Sequence, residues 1–421
     1  VDFLRAAAIY GANGAGKSNL VKALAHFKAI VLGQKEISTT VFKLDKAMAD
    51  QPTVFEMEFM TENYFLAYYL KFRNHVVLEE ELYSIDDKQR DHVLFKRKTE
   101  GEKTVLEIAE VYKNLDQYQS LFEWYEKQLL KKDELFVSKI IEDNVVWDEV
   151  YVLKHYFEYG IEIITPDVKT PPEIIFSDLT NEKGSHYVKK ILGRLDTGVK
   201  EIELQKIPVE ELFSHEAIND IKKMLEDVSV ASLDHTHLIL IADDKKSYGI
   251  VQEGNQIYAE RVKFVHESTR GNKIFFDINE ESDGTRRAID IISSIYSAVA
   301  SSKVIMIDEI GRSLHPLLLK KIVQLFLDEK EVKGQLIFTT HEEKLLDSDL
   351  FRHDELWMVE KNNTGATTLY PLSDFKIRND LVLERGYLAG RFGGIPFLGN
   401  VEYIISKENT SSRQKGSSGN E

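Results

Sequence analysis

The sequence contains no cysteine, which excludes disulfide frameworks, thiolate zinc sites and cysteine nucleophiles together. That absence fits a cytoplasmic protein. No stretch of eighteen apolar residues occurs, so a membrane-spanning helix is not expected. The first twenty residues hold a glycine-rich loop with Lys17 in place of a secretory signal. The chain opens on Val1 without a methionine, and the native start is left open. Basic residues are outnumbered: 54 Lys and Arg stand against 70 Asp and Glu, a net charge of −16. Such a surface repels polyanions on average, so a grip on nucleic acid needs a local basic patch or a partner. Proline is scarce as well. Three of the eight prolines fall in TPDVKTPPE (165–173), which reads as a break.

What is present suffices for an ordered core. Hydrophobic residues make up 43% of the 421, and a chain of this length suggests two or three domains at about 100–200 residues each. An apolar run at 3–10 ends at Gly11, and residues 19–30 carry apolar side chains at helical spacing, giving strand, glycine loop and helix. From 51 to 98 the apolar period drops to two, which predicts an antiparallel β segment. Between 103 and 165 the period lengthens and two helices fit; further helical pieces at 186–195 and 209–229 flank a strand-like VKEIEL at 199–204. HLILIA (237–242) and a turn at Gly254-Asn255 return to strand. Thereafter KIFFDI (273–278), VIMID (304–308), QLIFTT (335–340) and ELWMVE (355–360) alternate with helices predicted at 283–300 and 316–328. Apolar strands alternating with helices imply a parallel sheet covered on both faces, and so an α/β fold. The expected organisation is a first lobe at 1–102 that holds the glycine loop and the β segment, a mainly helical insertion at 103–235, a second lobe at 236–400 and a disordered polar tail at 401–421.

Gly11-Ala12-Asn13-Gly14-Ala15-Gly16-Lys17-Ser18 matches G-x-x-x-x-G-K-[ST]. Glycines let the backbone curl round a triphosphate so that amides and the following helix N-terminus face its oxygens. Asn13, Gly14, Gly16, Lys17, Ser18 and Asn19 are therefore candidate nucleotide-binding residues, with Lys17 on the phosphates and the Ser18 hydroxyl on Mg²⁺. The bland alternative is a plain strand–helix turn. Far downstream, VIMI (304–307) leads into Asp308-Glu309, an apolar strand delivering two acids: Asp308 for the Mg²⁺ shell, Glu309 for the attacking water. Alone, such acids are as often a helix cap. LIFTT then ends at His341, placed to sense a γ-phosphate or simply to cap a helix. Ser282-Asp283-Gly284-Thr285 opens an apolar helix, an anion site or an ordinary N-cap.

The order P-loop, insertion, SDGT, Asp308-Glu309, SLHP and His341 resembles ABC-type ATPases of the SMC/RecF/OLD branch, with SDGT in place of SGGQ. More narrowly, AAIYGANGAGKSNL, EESDGTRR, IDEIGRSLHP, TTHEEKLLD, LWMVEKNNTGATTLYPLSDF and RGYLAGRFGGIP are similar to prokaryotic AAA/ABC-like ATPases tied to abortive infection and phage defence, including OLD-like and RloA-like proteins. The last two blocks are the most family-specific. The resemblance implies an ABC-type P-loop head that binds ATP and Mg²⁺. It makes Glu309 the catalytic base and His341 the switch histidine. Ser282 and Gly284 would reach the γ-phosphate of the opposite protomer, and Ser313, Leu314 and His315 would cross the interface. It also implies a homodimer or a higher even-numbered assembly acting beside a nuclease or toxin, with DNA contact possible and no membrane. The alternative is a repair ATPase of RecF/SMC type that binds DNA ends directly. Basic clusters at Lys96-Arg97-Lys98 and from Arg261 to Lys273 are the places to look for DNA. A self-sufficient nuclease finds no acidic site beyond Asp243-Asp244, and His235-Thr236-His237 lacks a third metal ligand. A GTPase is disfavoured because Asn272-Lys273-Ile274-Phe275 lacks the aspartate of a guanine loop.

Overall fold

The computed structural model describes residues 3–38, 41–101, 103–113, 119–125, 130–166, 179, 182–195, 197–229, 238–243, 246–377 and 382–395. The tail at 401–421, most of TPDVKTPPE and the His235-Thr236-His237 triplet lie outside them.

The first strand, β1 (Ala6–Gly11), feeds the glycine loop and the helix Lys17–Val31. A meander follows: β2 (Thr53–Met60), β3 (Phe65–Arg73), β4 (Val76–Ile85), β5 (Asp91–Glu100) and β6 (Lys103–Ile108), each antiparallel to the next. Buried residues alternate along β3, as a strand with one wet face requires. The P-loop helix lies on the packed face, where Phe27 stacks on Phe55 at 4.6 Å and meets Phe157 edge-on at 5.0 Å.

The next strands are β7 (Ile161–Ile164), β8 (Glu201–Pro208), β9 (Leu238–Asp243), β10 (Lys246–Glu253), β11 (Gln256–Glu267) and β12 (Lys273–Phe276), and the last are β13 (Val304–Ile307), β14 (Gln335–Thr340), β15 (Leu356–Lys361) and β16 (Thr367–Pro371). The central sheet runs β16-β15-β1-β14-β13-β7; all pairs are parallel except β15 with β16. Ala6, Ala8 and Tyr10 of β1 join the core that holds the helices Asp283–Ala300 and Pro316–Leu327, while Ile9 turns to Ala15 and Val359 on the opposite face. The α/β fold with an antiparallel β segment is thus the one found.

Three readings need correction. KIFFDI does not join the parallel sheet: β12 pairs antiparallel with β11, and Lys273, Ile274 and Phe275 are exposed at that edge. The stretch 103–165 is broken up, with β6, short helices at Phe136–Glu142 and Asp148–His155, a π-helical turn at Tyr156–Gly160, and β7. The stretch 103–235, expected as mainly helical, thus also carries β6, β7 and β8. β7 completes the central sheet and β8 pairs with β11. Among the described residues no helix is long and apolar enough to cross a membrane.

Candidate functional site

Strand order builds the site. β1, β14 and β13 are consecutive parallel neighbours, so their carboxyl ends emerge along one edge about 5 Å apart. Gly11, His341 and Asp308 stand at those three ends.

Gly14 and Gly16 take φ values of +78° and +115°, left-handed conformations that cost little only without a Cβ. Gly16 caps the helix Lys17–Val31, whose first amides open on the loop. Lys17 is buried and its Nζ donates to the carbonyls of Gly11 at 2.7 Å and Ala12 at 3.2 Å. Burial lowers its pKa, and the negative charges of Asp308 and Glu309 oppose that shift. Ser18 is half-buried, while Asn13, Gly14 and Asn19 line the exposed rim.

Asp308 is 4% exposed and its amide donates to the Ile164 carbonyl at 2.8 Å. Thr339, on the neighbouring strand, donates its hydroxyl to Asp308 Oδ1 at 2.5 Å and accepts the Glu309 amide at 2.8 Å. That clamp holds Glu309 at φ +50°, a strained backbone for a residue with a Cβ. Sequence reasoning missed Thr339, since a threonine near the end of LIFTT looks like any strand residue. Thr339→Val is expected to cost about 1–3 kcal/mol, by leaving Asp308 and the Glu309 amide without their partner; urea denaturation measures it.

His341 faces solvent at the rim. Partial burial and the positive charge of Lys17 push its pKa below the usual value, against the pull of Glu309 and Asp308, so the ring is neutral at pH 7. Lys17, Asp308, Glu309 and His341 therefore share one electrostatic locus.

Ser282 and Gly284 sit elsewhere. Ser282 caps the helix Asp283–Ala300, accepting the Thr285 amide at 3.1 Å and bonding the Thr285 hydroxyl at 2.8 Å. Ser282 and Asp283 are exposed. A Cβ on Gly284 would lie 3.0 Å from the Ser313 carbonyl, so the turn packs on the 313–315 segment of its own chain. There Ser313 and His315 are exposed, Leu314 packs on the core, and His315 Nδ1 caps the helix Pro316–Leu327 by accepting the Leu317 amide at 3.3 Å. Just before the turn, buried Glu281 meets His266 Nε2 of β11 at 2.6 Å, which ties the Ser282–Thr285 turn to the β8–β12 sheet. On the same helix Arg287 keeps Nε and Nη2 buried without a hydrogen-bond partner. Burial lowers its pKa; Asp290 and Glu309 oppose the shift and Arg312 adds to it.

The basic clusters are largely spoken for by acids. Lys96 lies 3.7 Å from Glu81, Lys98 2.7 Å from Glu100, Lys263 2.9 Å from Asp277 and Lys273 2.6 Å from Glu203. Arg97 is fully buried. Gln51 is exposed in the bend before β2.

Among solved structures, the chain is similar to the SMC head domain from Thermotoga maritima, at 12% identity over 88% of this chain and 92% of that one, with a TM-score of 0.38. An SmcHead bound to the C-winged helix domain of ScpA matches at 14% identity over 92% and 94%, with a TM-score of 0.35. The Smc head with an extended coiled coil bound to the C-terminal domain of ScpA, derived from Pyrococcus furiosus, matches at 14% over 93% and 94%, with a TM-score of 0.31. No curated protein matches the chain. Residues 6–347 match the family described as "AAA domain, putative AbiEii toxin, Type IV TA system". That match spans most of the chain, and the protein therefore belongs to this AAA-domain family.

Proposed function

We propose that this chain is an ATP-binding and hydrolysing switch in which two copies clamp ATP between them. The observation that carries the reading is a division of labour between two places in the fold. Lys17, Asp308, Glu309 and His341 form one locus, while the capped turn at Ser282–Thr285 displays Ser282 and Asp283 to solvent beside the exposed Ser313. A helix N-terminus presented outward in this way suits an anion held by another subunit.

In this reading the P-loop amides and Lys17 bind the phosphates, Asn13, Gly14, Gly16 and Asn19 shape the cradle, and Glu309 positions and deprotonates the attacking water. Neutral His341 offers its ring to the γ-phosphate. The Ser18 hydroxyl and the Asp308 carboxylate, its second oxygen left by Thr339, are hard oxygen donors of the kind Mg²⁺ takes together with phosphate. When bound, Mg²⁺ would neutralise charge building on the phosphoryl oxygens. Ser282 and Gly284 would complete the partner's pocket.

The output proposed is control of a separate nuclease or toxin in anti-phage defence, in the cytoplasm. The family's description names a toxin and a type IV toxin–antitoxin system, which supports that setting. The net charge of −16 and the acid-paired basic clusters favour a protein over bare DNA as the main partner.

Ser282→Arg tests the shared pocket. Each monomer should still bind ATP, while hydrolysis falls by about 10²-fold through the lost anion site. Mixing Ser282→Arg with Lys17→Ala chains should restore part of the rate, because one of the two pockets in a mixed dimer is then intact. No recovery on mixing would count against action in trans.

A further inference from the structure

The P-loop is braced from outside its own motif. The helix Lys17–Val31 begins its ladder at the Gly16 carbonyl, which accepts the Asn19 and Leu20 amides. The Ala15 carbonyl therefore lies outside the ladder although Ala15 is buried, and a buried carbonyl needs a partner. That partner is the Thr367 hydroxyl of β16, which donates to it at 2.9 Å. The fit is close: a Cβ on Gly16 would overlap Thr367 Oγ1. A tight turn sets Thr367 in place. Asn362 Oδ1 accepts the Thr364 and Ala366 amides, both at 3.0 Å, and Gly365 takes φ +81°.

The loop's first glycine is braced too. Gly11 leaves so little room that its Cβ would lie 2.6 Å from the Val359 carbonyl of β15, and a Cβ on Gly394 would lie 3.5 Å from Gly11 Cα. Gly394 is held there from both sides. Its amide donates to Glu360 Oε1 at 2.8 Å, and its carbonyl accepts the Tyr387 hydroxyl at 3.0 Å. The Tyr387 ring meets Tyr10 of β1 edge-on at 5.8 Å.

A trans peptide points its C=O and its N–H in opposite directions. Fixing the Ala15 carbonyl on β16 therefore turns the Gly16 amide the other way, to the side of the loop away from β16. We propose, building on the ATP reading above, that Thr367 is a positioning residue for the nucleotide: it aims the Gly16 amide into the phosphate cradle, while the 390–394 strap seats the end of β1. The hydroxyl acts through the backbone and touches no phosphate itself. Binding strength thus depends on a hairpin more than 350 residues downstream of the loop it serves.

Thr367 is exposed, so removing its hydroxyl should leave the fold intact. Thr367→Val is expected to weaken binding of a fluorescent ATP analogue by about tenfold and, because the Ala15 carbonyl loses its partner, to lower the melting temperature slightly while the protein stays folded at the assay temperature. KM should rise while kcat at saturating ATP stays near wild type, since an equal loss from ground and transition states leaves kcat alone. Thr367→Ser keeps the donor and should behave as wild type. Amide hydrogen exchange of nucleotide-free protein gives a readout independent of ATP: residues 12–18 should exchange faster in Thr367→Val and not in Thr367→Ser. Wild-type binding and protection in Thr367→Val would overturn the proposal, as would equal losses in both variants. Should wild-type protein fail to bind the analogue while the exchange contrast appears, the ATP reading and the nucleotide role of Thr367 both fall and only a loop brace is left.

Discussion

Glu309→Gln is expected to slow ATP hydrolysis by about 10²–10⁴-fold, the usual contribution of a positioned general base, while ATP binding survives. The amide has the shape of the carboxylate but cannot take a proton from water. The parts that hold nucleotide in the proposed scheme are untouched: the loop glycines and Lys17 follow a different strand, β1, and the Thr339 clamp grips the Glu309 backbone rather than its side chain. With binding intact and hydrolysis blocked, the ATP-clamped dimer should accumulate. Gel filtration with ATP and Mg²⁺ should then show a larger species that wild type forms only in passing. An unchanged elution volume, or hydrolysis near the wild-type rate, would sink the assignment. The Arg287 charge sharpens the expectation. Its guanidinium lies close enough to feel Glu309, so the same substitution also removes a negative charge that Arg287 faces.

The parts of this site that sequence makes legible are those encoded in consecutive residues. GANGAGKS spells out its own turn, because Gly14 and Gly16 occupy the left-handed positions. The SDGT helix carries its cap three residues from the amide it accepts, and VIMI followed by two acids is a buried strand with a polar end. What escapes is whatever depends on register between distant strands. Thr339 reaches Asp308 only because β14 lies between β1 and β13, an order that no local pattern contains. β7 is four residues long and follows a π-helical turn, too short for a period to show. The stretch before it reads as two helices because its apolar residues belong to several short helices that share one core. The two most family-specific blocks, LWMVEKNNTGATTLYPLSDF and RGYLAGRFGGIP, become intelligible only in three dimensions, where Thr367 of the first and Gly394 of the second close on the P-loop.

The P-loop helix contributes Phe27, Ile30 and Val31 to the core of the meander rather than to that of the central sheet. Lys28 adds a polar tie, donating to the Ile161 carbonyl at 2.5 Å, just where β7 begins. Nucleotide-driven movement of this helix would therefore be passed to the meander and the short helices packed on it. Those elements are held together by a buried charge pair remote from the phosphates, and its removal gives the second large expected effect.

Glu80→Ala is expected to cost about 3–5 kcal/mol of stability, the loss typical when one partner of a buried ion pair is deleted. Glu80 and Arg97 are both fully buried on adjacent strands β4 and β5. The Glu80 carboxylate accepts the Phe136 amide at 2.7 Å, the Val137 amide at 3.1 Å and the Tyr68 hydroxyl at 3.0 Å, with Arg97 at 3.4 Å. Arg97 in turn donates to the Lys131 carbonyl at 2.6 Å and to that of Glu134. Burial raises the Glu80 pKa in spite of those donors and lowers that of Arg97, the direction desolvation gives a buried pair. Deleting Glu80 is costly because a charged guanidinium, a hydroxyl and two amides lose their acceptor at once. Adding Arg97→Leu to Glu80→Ala should therefore recover part of the loss, since the stranded charge is then gone. Urea denaturation of the two single variants and the double variant closes the cycle. Strictly additive losses would show that Glu80 acts only as an acceptor for the 136–137 amides and not as the counter-charge that Arg97 requires.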